Sequence, residues 1–506
     1  MKASNKVLPN LSVIFTLIVT CIFSAQAQNW TQLGDDIDGE AAEDRSGTGV
    51  SLNGNGNIVA IGAFDNDGNG PNSGHVRVYE WNESAWVQRG SDMDGEAAND
   101  NSGRSVCLNN NGDIVAIGAD DNDENGMNAG HVRVYRWNGS DWLQMGSDID
   151  GEGVGDYSGY CVSLDSTGEI LAIGAPANNG NGSNSGQVRV YEWDEGLWVQ
   201  KGSDMDGEAA EDSFGRSVSL NNSGDILAVG ATKNDGNGSE AGHVRVYSWN
   251  GSAWLQMGDD IDGEAAADRS GVSVSLNSHG NLVAIGAYWN GGNGSTSGHV
   301  RIFEWNGSAW VQRGSDIDGD AAGDQSGFSV SLNSTGDIVA IGSVLNSNNG
   351  TYAGHVRIFE WNGSTWAQRG LDIDGEAAGD QSGFSVSLSS TGDIVAIGAI
   401  LNSDNGTYAG HVRVFTTQSI NTDIAVVEKR FFSVYPNPTN SVLTIESGVS
   451  DRYIIDITSL KGQVLYSTEM GGSYHQLDLS NFQKGVYFIT IRSDGIVARS
   501  KIILLK

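Results

Sequence analysis

Apolar and polar positions change places in short bursts along most of the chain, with no sustained 3.6-residue period. One stretch shows the pattern. The run Ser329 to Leu332 ("SVSL") is followed by a glycine-containing turn and then by "DIVAIGS" from Asp337. An Asn/Gly loop leads to "HVRIFEW" (His355 to Trp361), and an "NGS" turn leads to "WAQRG" from Trp366. Val, Ile, Phe and Trp enrichment with Asn-Gly punctuation predicts four antiparallel strands. The second run is apolar at successive positions, as a strand buried on both faces must be. The third alternates, with Val76 and Val78 on one side and Arg77 and Tyr79 on the other. The fourth has one Trp and then polar residues. This gradient predicts a sheet whose inner strands are covered by neighbours and whose outer strands meet solvent.

The unit recurs with a strict period. The glycine that opens "GDDIDGEAA" lies at 34, 90, 146, 202, 258, 314 and 370, every step being 56 residues. Seven four-stranded units of this length predict an all-β fold, a seven-bladed β-propeller. The seventh unit stops after its third strand, at Phe415. Trp30-Thr31-Gln32-Leu33 aligns with Trp86-Val87-Gln88-Arg89, 56 residues on, so the N-terminal strand is expected to complete the last blade. Closure of this kind removes the open edges that a linear solenoid must cap.

The regions outside the repeat read differently. Residues 1–27 have the form of a secretory signal: Lys2 and Lys6, an apolar run from Leu11 to Phe23, and Ala25-Gln26-Ala27 as a small-x-small cleavage site. No later stretch is apolar enough to predict a membrane span. Residues 28–415 form the propeller, 416–430 a linker, and 431–506 a near-neutral module with several short β-like runs, expected to be a small β-sandwich. Lys and Arg number 28 against 63 Asp and Glu, a net charge of −35. The propeller holds 17 of those bases and 55 of those acids. Nucleic acid is therefore not an expected partner, because phosphate binding is driven by Lys and Arg.

The C-terminal module carries Tyr435, Pro436, Asn437 and Pro438, then Asp456-Ile457 through Lys461-Gly462-Gln463-Val464, then Lys484, Gly485, Val486, Tyr487 and Phe488, and the basic-apolar end Lys501 to Lys506. In this it resembles the C-terminal sorting domain of the type IX (Por) secretion system of Bacteroidetes. The resemblance implies export through the type IX machinery and a secreted or cell-surface location. The propeller units resemble FG-GAP repeats of the integrin α-chain type, with Phe214-Gly215 before "RSVSL" and Gly174-Ala175-Pro176 after "EILAI". Integrin-type repeats often place an Asp-rich calcium loop between the first and second strands. Here that link carries at most two carboxylates, as in Asn333 to Asp337, too few for a shell of six to eight oxygens. The integrin calcium site is therefore not expected at that link.

The acid is concentrated elsewhere. Asp36, Asp38, Glu40 and Asp44 recur as Asp92, Asp94, Glu96 and Asp100, and so on through all seven units, with Asp320 replacing the glutamate once. The functional reading is a calcium-ordered rim, since Asp at alternating positions with Gly offers hard oxygens on a tight turn. The alternative is turn chemistry, with Asp and Asn bonding their own backbone. Six of eight histidines are the repeated "GHV" histidine, Gln187 replacing it in the third unit, and are expected to be structural, without the convergence a metal needs. Cys107 and Cys161 are expected to stand in for buried serines, a disulfide between them being the alternative.

No catalytic constellation stands out, so the chain is not expected to be an enzyme. Differences between units are more informative. Phe64, Tyr288, Trp289, Val344, Leu345, Ile400 and Leu401 open the loops after the second strand, and Tyr352 and Tyr408 extend them. They form either an exposed apolar arc that contacts a protein or glycan ligand, or local core folded over the blade edge. The expectation is an adhesion or ligand-binding propeller. The alternatives are an extracellular polysaccharide lyase or hydrolase and a purely structural surface protein.

Overall fold

The computed structural model describes residues 29–417 and, further on, 432–435, 439–447, 452–459, 464–471, 474–493 and 496–505. The expected signal segment 1–27 and linker 416–430 lie wholly or almost wholly outside the described residues. Residues 29–417 form seven antiparallel sheets. In the first blade the strands are Val50–Leu52, Ile58–Ala63, His75–Trp81 and Trp86–Gln88, hydrogen-bonded in that order. All six residues of the second strand are buried, as its continuous apolar run requires.

The fourth strand is longer than the sequence pattern suggests. After Gln88 it bulges and resumes as Met93–Asp94, which pairs with His75 and Val76 at the other end of the third strand. The "ID" or "MD" pair of the acidic motif is thus sheet, not loop, in every unit, with Asp36 and its counterparts just before it. Gly90 permits the bulge. Its φ is +83°, and a Cβ there would lie 2.8 Å from the Trp137 ring of the next blade.

The hydrophobic core lies between blades. One cluster joins Val50, Val59 and Ile61 of the first blade to Ala396, Val412 and Val414 of the seventh. Closure follows the expected route, with Thr31 and Gln32 pairing with Thr416 and Phe415. Two rings of hydrogen bonds run unbroken across it. At the centre, backbone N–H groups of residues 54, 110, 166, 222, 278, 334 and 390 each donate to the carbonyl of the next, Ser390 returning to Gly54 at 2.8 Å. At the periphery each blade's Trp donates its indole N–H to a carbonyl of the preceding unit, from Trp86 to Leu33 at 2.8 Å round to Trp30 onto Arg369 at 3.0 Å. Glycines complete the seam: a Cβ on Gly174 would sit 2.2 Å from the carbonyl oxygen of Gly215 in the next unit. The two glycines of the FG-GAP letters are therefore packing partners across a blade interface.

Cys107 and Cys161 are free thiols. Cys107 Sγ accepts the Leu164 N–H where other units use a serine hydroxyl, such as Ser51 with Leu108. Burial pushes both thiols up, to about 11 and about 12.

The C-terminal unit begins near residue 420. It has a three-stranded and a four-stranded sheet enclosing Leu443, Ile445, Ile455, Ile457, Ile489 and Ile491. Tyr435 ends the first strand, and Gly485 and Tyr487 lie in a later one beside Lys484; Pro436, Asn437 and Pro438 lie outside the described residues.

Candidate functional site

The four carboxylates of each acidic motif do not share a site. Asp44 is buried, and its Oδ2 accepts the backbone N–H groups of Glu40 and Ala41 at 3.1 and 2.9 Å. Asp100 does the same for Ala97 and also accepts from Asn122 at 3.1 Å. These two are turn caps. Asp38 and Asp94 lie on the resumed strand; their carbonyls receive Arg77 and Arg133 of the following blades at 2.7 and 2.6 Å. Burial, then the neighbouring Asp36, raises the Asp38 carboxyl above its ordinary value. Asp36 and Asp92 accept from Gln32 and Gln88, each at 2.5 Å. Glu40 pairs with Arg77 at 3.4 Å. The four carboxylates of a motif thus take four separate roles, because the strand resumption at Ile37–Asp38 leaves Asp36 beside His411 and Glu40 beside Arg77.

What does converge is a glutamate of one unit with the histidine and aspartate of the next. Glu40, His75 and Asp92 form one such group, and Glu208, His243, Asp260 and Glu264, His299, Asp316 form others. Two groups have a fourth member: Glu96, Glu124, His131, Asp148, and Asp36, Glu376, Asp404, His411. The repeated histidine, expected to lack this convergence, sits at the start of the third strand, where the loop from the preceding blade crosses over it. The signal in the sequence was the fixed offsets of 35 residues from Glu to His and 17 from His to Asp, which only strand pairing turns into proximity. Burial, and then the adjacent arginine, lowers these histidines, His131 to about 4, so they are neutral near pH 7.

The proposed apolar arc divides. Phe64, Val344 and Ile400 are buried, so they act as local core rather than exposed surface. Tyr288, Trp289, Leu345 and Leu401 are half-buried, and Tyr352 and Tyr408 are exposed. A second variable column joins them, at the entry to each first strand: Thr48, Arg104, Tyr160, Arg216, Val272, Phe328 and Phe384. Phe328 stacks edge-on against Tyr288 at 5.8 Å and lies 5.0 Å from Phe384. Arg216 lies over Tyr160 at 4.4 Å, and Arg269 over Trp289 at 3.6 Å while donating to the Tyr288 hydroxyl. Comparing the seven copies column by column would have found these residues, because the columns around them scarcely vary. Residues at the 45-register, from Arg45 to Gln381, hold φ near +55° in all seven units. Such strain is sustained only where surrounding structure over-determines it.

Between the third, fourth and fifth blades these columns enclose a cavity of about 320 Å³, lined by Tyr160, Arg216, Lys233, Arg269 and Tyr288 among others. Arg269 is paired with Glu240 at 2.7 Å. Among the described residues, neither Arg216 nor Lys233 has a carboxylate at ion-pair distance. Arg104 and Arg136 are the other propeller bases without such a partner, so two of these four line this one cavity in a propeller with about three times as many acids as bases. Nearby, Asp120 is the one acid in its column. Burial raises it to about 6, and its Oδ1 has no hydrogen-bond partner among the described residues.

Comparison with known proteins adds the following. Residues 433–505 match the family model of the secretion system C-terminal sorting domain. Residues 202–247 match that of the FG-GAP repeat. The sorting tail marks a secreted or cell-surface protein and a client of the type IX secretion machinery. No curated protein matches the chain. Solved structures that it resembles include a putative 6-phosphogluconolactonase from Bacteroides uniformis, 10% identical, TM-score 0.48, covering 83% of this chain and 99% of that one. The β-propeller domain of the Trilobed protease from Pyrococcus furiosus is 8% identical, TM-score 0.42, covering 74% and 96%. AofleA from Arthrobotrys oligospora is 12% identical, TM-score 0.38, covering 69% and 93%.

Proposed function

We propose that this secreted or cell-surface propeller, with its FG-GAP repeat and type IX sorting tail, is an extracellular binding protein whose ligand enters the cavity beside Tyr160, Arg216, Lys233 and Tyr288. The observation that carries this is the pair of unpaired cations flanked by aromatic rings on an otherwise acidic molecule. Aromatic faces accept the apolar face of a sugar, and unneutralised Arg and Lys select an anionic group on it. The ligand class is therefore an acidic glycan or an acidic protein segment. Binding to an array of neutral and acidic glycans tests this. Acidic saccharides should bind, and Arg216→Ala with Lys233→Ala should weaken them at least tenfold. Binding that is indifferent to ligand charge and to both substitutions overturns the reading. Trp289→Ala and Leu345→Ala report on the apolar flank in the same assay.

Asp120 favours a second reading, since a buried carboxyl raised to about 6 is suited to general acid–base work. Glycoside hydrolysis ordinarily needs a differentiated pair of carboxyls. Release of reducing ends or unsaturated products from acidic polysaccharides, lost in Asp120→Asn, would replace the binding reading with an enzymatic one.

A further inference from the structure

We propose that the two four-membered clusters, Glu96–Glu124–His131–Asp148 and Asp36–Glu376–Asp404–His411, are sites for a divalent cation of the zinc class that staples neighbouring blades. In each cluster one donor atom from every residue lies within 4.8 Å of the others. The histidine supplies the second, independent observation. His131 Nδ1 has no hydrogen-bond partner among the described residues, its side chain is 1% exposed, and it faces Glu96 and Asp148 at 3.9 and 3.8 Å. His411 Nδ1 is likewise unpartnered and 1% exposed, and faces Asp36 at 3.7 Å. A buried nitrogen that is aimed at carboxylates yet bonds none of them is costly unless something lies between.

The donor set selects the cation. Imidazole with carboxylates suits zinc and similar transition ions, whereas calcium and magnesium prefer oxygen alone. Charge agrees. Each cluster has three carboxylates, and one arginine reaches the far oxygen of its shared glutamate: Arg133 on Glu96 at 3.7 Å and Arg413 on Glu376 at 3.4 Å. The remaining charge of −2 is what a divalent ion cancels. Three of the four donors in each cluster are exposed or half-buried carboxylates, free to close the short distance to metal–oxygen bonds of about 2.0–2.2 Å.

The third unit supplies an internal control. There Gln187 takes the histidine's place and its amide donates to Glu152 at 3.0 Å, so the glutamate is satisfied without an ion. Glutamine is therefore compatible with folding at this register. Glu124 and Asp404 are what set the second and seventh units apart, since the equivalent residues elsewhere are Gly68, Gly180, Gly236, Gly292 and Asn348. The second site also has a particular place in the ring: Asp36 comes from the closing N-terminal strand and His411 from the last blade, so a bound ion clamps the closure.

The test uses the full chain without a histidine tag, stripped with a chelator and titrated with Zn²⁺ in one arm and Ca²⁺ in another, with calorimetry and metal analysis after gel filtration. The expected result is two tight zinc equivalents, one in His131→Gln and none in His131→Gln/His411→Gln. Zinc should also raise the melting temperature of the parent chain, and markedly less that of His411→Gln. Circular dichroism and the melt of each metal-free variant establish that it folds. No tight zinc, zinc undiminished in the double variant, or calcium displacing zinc at equal concentration would overturn the proposal.

Discussion

Asp120 shows how one residue's surroundings set its chemistry. Its column otherwise carries Phe64, Pro176, Thr232, Tyr288, Val344 and Ile400, so it sits where the fold provides an apolar position. Burial is the largest influence on it, with Arg104 opposing, and it is raised to about 6. Between pH 6 and 4 the folded state binds the proton and the unfolded state does not, so this group's share of stability rises as pH falls through that window. Asp120→Asn should therefore be more stable than the parent at pH 8, by at most about 3 kcal/mol, with the gap closing near pH 4. That ceiling already includes the attraction of Arg104 and Arg216, which opposes the effect of burial. Paired thermal melts at pH 8 and pH 4 check this; a difference of the same size at both would contradict it.

At the scale of elements, the closing strand is short but heavily used. Thr31 and Gln32 pair with the seventh blade, and Trp30 supplies the seventh indole bond of the peripheral ring. Deleting residues 28–33 should lower the melting temperature sharply, and Trp30→Ala alone should cost about 2–3 kcal/mol for a half-buried Trp. An unchanged melt for the deletion would mean the ring is held without its closure. The glycine seam gives a parallel expectation. A Cβ at Gly342 would lie 2.1 Å from the Gly383 carbonyl oxygen, so Gly342→Ala must push two blades apart. Its cost should exceed the roughly 1 kcal/mol that separates glycine from alanine in an ordinary strand, as read from denaturant unfolding.

Taken as a whole molecule, the chain joins an acidic propeller to a near-neutral sorting module with its own core. Removing residues 431–506 should leave the propeller folded and trap it in the periplasm, as cell fractionation would show. Normal export of the truncated chain would contradict the sorting role. The propeller's charge is likewise a property of the whole: Asp36 and Asp404 repel Asp38, and Asp148 and Glu124 repel Glu96 across units, and such repulsion makes a bound cation or a basic partner stabilising.

Much of this was legible in the sequence because a strict repeat makes one unit's pattern stand for seven. The 56-residue period, the missing fourth strand after Phe415 and the matching Trp30 segment sufficed to read blade number and closure, since strand identity follows local alternation and turn chemistry. The sorting module was legible from its motifs. The candidate sites were not legible in the same way. That Glu40, His75 and Asp92 meet, that Asp44 caps its own turn, and that Arg216 and Tyr160 stack beside a cavity all depend on how the chain is folded back on itself. Strand register and inter-blade packing bring together positions tens to hundreds of residues apart. Local alternation and turn chemistry were enough to define each blade, whereas the shared sites exist only because closing the ring sets one blade's side chains against the next.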